Sequence, residues 1–99
     1  MAAYVVANYR VTNPAGYAQY LSSMLPILQA HGCETLVADH ESEALEGQPG
    51  HVTIVIKFAS KEAARNWYNS PEYQAVIHLR TENAQGNAVL VDKLVPVGR

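Results

Sequence analysis

HVTIVIKFASKEAARNWYNSPEYQAVIHLR, residues 51–80, holds one strand and two helix starts in close succession, and its reading decides the fold. From His51 to Phe58 the side chains alternate. Val52, Ile54, Ile56 and Phe58 share one face; Thr53, Val55 and Lys57 share the other. A period of two is that of a strand. Ser60 then offers a hydroxyl to the free N–H groups of a helix start, and Glu62 sits in the first turn, where the helix dipole favours an acid. Ala63, Ala64, Trp67 and Tyr68 form the inner face, the alanines being small enough to bring the helix close to a sheet. Ser70-Pro71-Glu72 repeats the cap, proline and acid, which predicts a second helix at an angle to the first. Its stripe is Tyr73, Val76, Ile77 and Arg80, with Arg80 where an apolar residue is expected.

On the N-terminal side, Ala3–Val11 reads as a strand. Its odd positions (Ala3, Val5, Ala7, Tyr9, Val11) are apolar, while its even positions end in Asn8 and Arg10. Asn13-Pro14 starts a helix whose buried stripe is Tyr17, Leu21, Met24, Leu25 and Leu28, and Gly32 ends it by taking the left-handed conformation. Pro26 removes an N–H that would bond the Ser22 carbonyl, so a kink or loosened turn is expected there. Cys33–His40 is a second strand, followed by a polar connection over Glu41–Gly50. On the C-terminal side, Gly86 is expected to stop the last helix and Ala88–Val95 to form the last strand. The order is strand, helix, strand, strand, helix pair, strand, the split βαβ pattern of a ferredoxin-like α+β sandwich, as one domain over residues 1–99. Helices on one face leave the other face of the sheet bare. Valines such as Val6 and Val55 there are too apolar for water, which predicts a homodimer with two sheets packed face to face.

Composition excludes several classes. Hydrophobic residues at 48% and charged residues at 16% are incompatible with a disordered chain. No apolar run approaches the roughly 20 residues of a membrane span, and the apolar stretch Ala2–Ala7 has no preceding Lys or Arg, so it is not read as a signal peptide. The single Cys33 excludes an internal disulfide and places the chain in the cytoplasm. The net charge of −2 conceals an asymmetry: no Lys or Arg lies between Val11 and Ile56, where Glu34, Asp39, Glu41, Glu43 and Glu46 fall. That stretch reads as a solvated loop, with cation binding as the sharper alternative. With no basic stripe and interleaved aromatics, nucleic acid is not an expected partner.

No motif names a reaction. The chain lacks a Gly-rich phosphate loop, a His-Glu-x-x-His, a Cys-x-x-Cys and a nucleophile elbow. His40 and His51 flank the acidic connection, near Asp39 and Glu41, but a structural zinc site wants four ligands. Two solvated histidines is the preferred reading, and no metal or cofactor is expected. His78 faces away from its helix stripe, toward solvent. His31 stands in the last turn of its helix, where a cation complements the dipole; alternatively it serves as a general acid or base. Arg80, pointing toward the sheet, is either a structural clamp on a carboxylate or on backbone carbonyls, or the anchor of an anionic ligand. Tyr17, Tyr20, Tyr68, Tyr73 and Trp67 have helical spacing and read as core, although Tyr20 lies slightly off its line and its hydroxyl needs a partner if buried. Cys33 reads as a small buried hydrophobe.

Asn13-Pro14 with Tyr17 and Tyr20, His31-Gly32, Glu46-Gly47, Phe58, Ala64, Trp67-Tyr68, Ser70-Pro71-Glu72-Tyr73 and Arg80 resemble the family known as domain of unknown function 1330. The likeness runs through essentially the whole chain, and its most specific part is Trp-Tyr-x-Ser-Pro-Glu-Tyr. It implies a subunit of the dimeric α/β-barrel superfamily, whose branches include cofactor-independent monooxygenases, isomerase- and dismutase-like enzymes and stress-response proteins. The family itself implies no reaction. Cys33 replaces a frequent second glycine, and Lys57 replaces a frequent acid before Phe58. If that acid partners the helix arginine, Arg80 needs another counter-ion here. Two functions follow. One is a homodimer binding a small anionic or aromatic metabolite between sheet and helices through Tyr20, Trp67, Tyr73 and Arg80. The other is a cofactor-independent enzyme of monooxygenase or isomerase type, with His31 or a tyrosine as acid/base and Arg80 stabilising an oxyanion.

Overall fold

The chain runs β1 (Ala3–Val11), α1 (Pro14–Ala30), β2 (Glu34–Asp39), β3 (Val52–Phe58), α2 (Lys61–Tyr68), α3 (Pro71–Thr81) and β4 (Ala84–Asp92) in the computed structural model, which describes residues 1–95. The last four positions of the expected 1–99 domain lie outside the described residues. The strands form one antiparallel sheet of order β2-β3-β1-β4, the ferredoxin-like α+β arrangement. No helix among the described residues is long and apolar enough to cross a membrane.

Strand alternation sorts the sheet into two faces. Under the helices lie Val52, Ile54, Ile56 and Phe58, all buried. Each such side chain contributes about 1.5–3 kcal/mol through burial. On the same face, Ile54 stands opposite Ala7, and Ala7 opposite Ala88, so the row shrinks toward the β4 edge. The opposite face carries a row of four valines, one per strand: Val37, Val55, Val6 and Val89. Asn8 pins the polar end of that face, donating to the Gly50 and Val52 carbonyls and accepting from the Gly50 N–H at 2.8 Å.

The helix starts form as their caps dictate. The Asn13 side chain accepts from the Gly16 N–H and that of Ser60 from the Ala63 N–H. Buried Ser70 accepts from the Tyr73 N–H and donates to the Trp67 carbonyl at 2.8 Å, tying the end of α2 to the start of α3. Gly32 has the left-handed φ of 64° that ends α1.

Three expectations need correction. The buried stripe of α1 is Tyr17, Tyr20, Met24 and Leu28, and Leu25 is 54% exposed. The helix packs on α3, where Tyr20 meets Tyr73, as well as on the sheet, where Tyr17 meets Tyr9, which turns Tyr20 inward and Leu25 out. Tyr68 is 40% exposed at the rim of α2, not part of its inner face. Gly86 does not stop a helix: α3 ends at Thr81, where the Asn83 side chain donates to the Leu79 carbonyl, and Gly86 lies within β4 opposite Tyr9. A β-carbon there would stand 2.2 Å from the Asn8 carbonyl oxygen, so the close strand approach requires glycine. The last strand accordingly begins at Ala84 and ends at Asp92. The helix α1 continues through Pro26, and exposure of both Ser22 and Pro26 lets water take the place of the lost bond.

Candidate functional site

The tapering row of Ile54, Ala7 and Ala88 leaves space beneath α2 and α3 that larger residues would fill. The result is a cleft with two connected parts, which share Val5, Tyr68 and Ala88. The outer part, between α2 and β4, has a volume of ≈ 220 Å³. An apolar cavity of about 150 Å³ accepts benzene, so a single-ring molecule fits. The inner part, ≈ 30 Å³, ends at Tyr9, Tyr20, Trp67, Tyr73 and Arg80. The structure thus brings Tyr20, Trp67, Tyr73 and Arg80 together from three helices.

Local packing orients each of them. The Ser70 link holds the Trp67 and Tyr73 rings at a centroid distance of 4.2 Å, and Phe58 supports Trp67 from below at 5.3 Å. Tyr20 and Tyr73 satisfy one another through a hydroxyl hydrogen bond of 2.8 Å. Trp67 is buried, and its Nε1–H has no acceptor among the described residues. A buried donor without a partner costs roughly 1–3 kcal/mol.

Arg80 is half-buried, with its guanidinium carbon 5.8 Å from the centre of the Tyr9 ring. Among the described residues no carboxylate lies within 4.0 Å of it. Burial works against its charge, but the neighbouring Tyr73, Tyr20 and Tyr9 hold its pKa above the ordinary value, and it stays a cation. Burial likewise pushes the Tyr9, Tyr17 and Tyr20 phenols well up, so all three are neutral hydroxyls near pH 7. Lys57 is exposed on the valine face, across the sheet from Arg80. An acid at that position of the same chain would not reach the guanidinium, which removes the counter-ion relation expected from the family pattern.

His31 does not line the cleft. It caps α1, with its N–H toward the Ile27 and Leu28 carbonyls, and its Nε2 lies 3.6 Å from a Glu72 carboxylate oxygen at the start of α3. Cys33 is half-buried and donates to the Leu28 carbonyl. His51 and His78 are exposed. His40 turns its ring onto Tyr17, with Nε2 at 3.3 Å from the Tyr17 hydroxyl, rather than facing His51. No three His, Cys, Asp or Glu side chains converge among the described residues. Sequence reasoning missed Tyr9, whose hydroxyl bonds that of Tyr17 at 2.6 Å. The available signal was a tyrosine on the inward face of a strand, whose hydroxyl must find a partner.

A ferredoxin-like α+β domain with an aromatic cleft between sheet and helices defines the class. Residues 2–94 match the family model described as "Domain of unknown function (DUF1330)", and the chain belongs to that family. The fold is similar to that of a protein of unknown function from Rhodopseudomonas palustris, with a TM-score of 0.78 at 14% identity over 96% of this chain and 84% of that one. It is also similar to SnoaB, a cofactor-independent oxygenase from Streptomyces nogalater (TM-score 0.69, 9% identity, 99% of this chain and 98% of that one). A conserved protein from Methanosarcina mazei Go1 has a TM-score of 0.63 at 14% identity, over 95% of this chain and 94% of that one. No curated protein matches the chain.

Proposed function

We propose that the protein is a cytoplasmic homodimer that binds a small anionic or aromatic molecule in the cleft, through Tyr20, Trp67, Tyr73 and Arg80. The observation that carries this reading is a half-buried guanidinium with no carboxylate nearby, in an apolar cleft that Trp67 and Tyr73 also line. The guanidinium only donates, so the ligand must bring an acceptor. The planar fork of Arg suits a carboxylate or enolate oxygen reaching into the inner part, while a flat body has room only in the outer part, beside the Tyr68 ring that lines both. The valine row on the opposite face supports the dimer, and the single cysteine supports the reducing compartment.

A second reading, a cofactor-independent monooxygenase- or isomerase-like enzyme, draws support from the SnoaB fold and from hydroxyls beside Arg80, where a developing oxyanion would be stabilised. In this reading Arg80 holds the oxyanion, and the acid/base role expected of His31 passes to the cleft tyrosines. Thermal unfolding with a panel of aromatic and aliphatic carboxylates and phenols tests the binding site. A ligand at 100 times its Kd stabilises by about 2.7 kcal/mol. The stabilisation should vanish in Arg80→Met; an equal response in both proteins would remove Arg80 from the site.

A further inference from the structure

The hydroxyls around the cleft form two pairs that end differently. Tyr20 and Tyr73 close on each other, both buried. Tyr9 and Tyr17 do not close. The Tyr9 hydroxyl bonds that of Tyr17 at 2.6 Å, and the Tyr17 hydroxyl continues to Nε2 of His40 at 3.3 Å. Tyr9 lines the inner cleft, Tyr17 is buried within the core, and His40 is exposed. We propose that Tyr9, Tyr17 and His40 form a proton path linking the cleft beside Arg80 to solvent. Its use in chemistry rests on the reading of the cleft as the ligand site.

The direction of the bonds suits this role. Either hydroxyl of the 2.6 Å pair can be the donor, so Tyr9 can donate to Tyr17. Tyr17 is then free to donate to an unprotonated Nε2, with the imidazole proton on Nδ1. The charged neighbours do not trap the proton. Arg80 faces Tyr9 from α3, and no carboxylate lies within 4.0 Å of His40 among the described residues. Asp39, adjacent in the chain, accepts from the Glu41 N–H instead.

The transfer balances without an oxidant or reductant. A proton leaving an acidic O–H or C–H of the bound molecule forms a bond to the Tyr9 oxygen. The original Tyr9 proton passes to the Tyr17 oxygen, and that of Tyr17 to Nε2. The imidazolium discharges to water, and the bound molecule remains as an anion beside Arg80. Because neither phenol ionises readily, the protons move together and leave no lasting tyrosinate.

Hydroxyl exchange in ligand-free protein tests the path. Protein carrying tyrosine labelled with carbon-13 at Cζ, in an equal mixture of light and heavy water, shows two lines for a slowly exchanging hydroxyl and one averaged line for a fast one. Tyr9 and Tyr17 should give single lines, while Tyr20 and Tyr73 give pairs. In His40→Ala, exchange at Tyr9 and Tyr17 should slow on the order of 100-fold or more, splitting both lines and leaving Tyr20 and Tyr73 unchanged. His40 is exposed, so the variant is expected to fold. Split Tyr9 and Tyr17 lines in wild type, or unsplit ones in His40→Ala, would overturn the path. Neither result bears on ligand binding, which the carboxylate panel reads separately.

Discussion

Arg80 shows how one residue separates a clamp from an anchor. A guanidinium paired with a buried carboxylate would cost about 3–5 kcal/mol to remove, because the acid would be left unpaired. Here its neighbours are neutral instead: the Tyr9 ring, an interaction of about 0.5–1 kcal/mol at such a site, and the Tyr73 hydroxyl. We therefore expect Arg80→Met to lose no more than about 2 kcal/mol relative to wild type in ligand-free protein. A loss of several kcal/mol in chemical denaturation would identify a structural clamp. The buried phenols make a second prediction. Tyr9, Tyr17 and Tyr20 have folded-state pKa values above that of an unfolded tyrosine. The unfolded chain thus loses those protons first, and stability should fall as pH rises past about 10, by about 1.4 kcal/mol per pH unit for each group. Tyr20→Phe should flatten that fall in denaturation curves taken across the alkaline range; an unchanged slope would count against a strongly perturbed Tyr20.

At the scale of elements, the joint between α2 and α3 matters most to the cleft. Ser70 accepts at the start of one helix and donates to the end of the other, so it sets the spacing of Trp67 and Tyr73. Ser70→Ala should cost about 1–2 kcal/mol through the lost cap. That corresponds to roughly 4–8 °C in Tm per kcal/mol for a domain of this size. It should also broaden the Trp67 indole resonance as the ring loosens; a stable variant with an unchanged indole signal would show that the sheet alone positions Trp67. Gly86→Ala in β4 meets backbone rather than a flexible side chain and should cost about 1–3 kcal/mol. Of these two devices only the first was legible from sequence. Ser-Pro-Glu is a local signal for a helix start, whereas the need for glycine at position 86 arises from Asn8 and Tyr9, 78 and 77 residues away in the chain.

For the whole molecule, the question is what lies against the valine row. Val37, Val89 and Val91 remain 39%, 53% and 38% exposed on one sheet face, an apolar row of the kind that a second sheet covers. Light scattering on a sizing column should give about twice 10.8 kDa, and Val55→Lys, at the middle of the row, should give monomers. A clean monomer for wild type at micromolar concentration would leave that face unexplained and the dimer disproved.

The sequence by itself determined the order of elements and the fold class. Caps, proline positions and alternation act over three or four residues, and every helix start and every central strand of this chain carries such a signal. It also offered Tyr20, Trp67, Tyr73 and Arg80 as candidates, because an arginine on an apolar stripe and aromatics beside it are visible without coordinates; packing brings the four around one space. Tertiary structure alone decided how α1 rotates between sheet and α3, which buries Tyr20 and exposes Leu25. It alone placed Lys57 and Arg80 on opposite sides of the sheet, His31 against Glu72, and Tyr9, Tyr17 and His40 in one chain of hydrogen bonds. Those relations join residues from separate elements, and their distances depend on how helices seat on the sheet. Local sequence patterns carry no such distances; the packing of side chains between layers sets them.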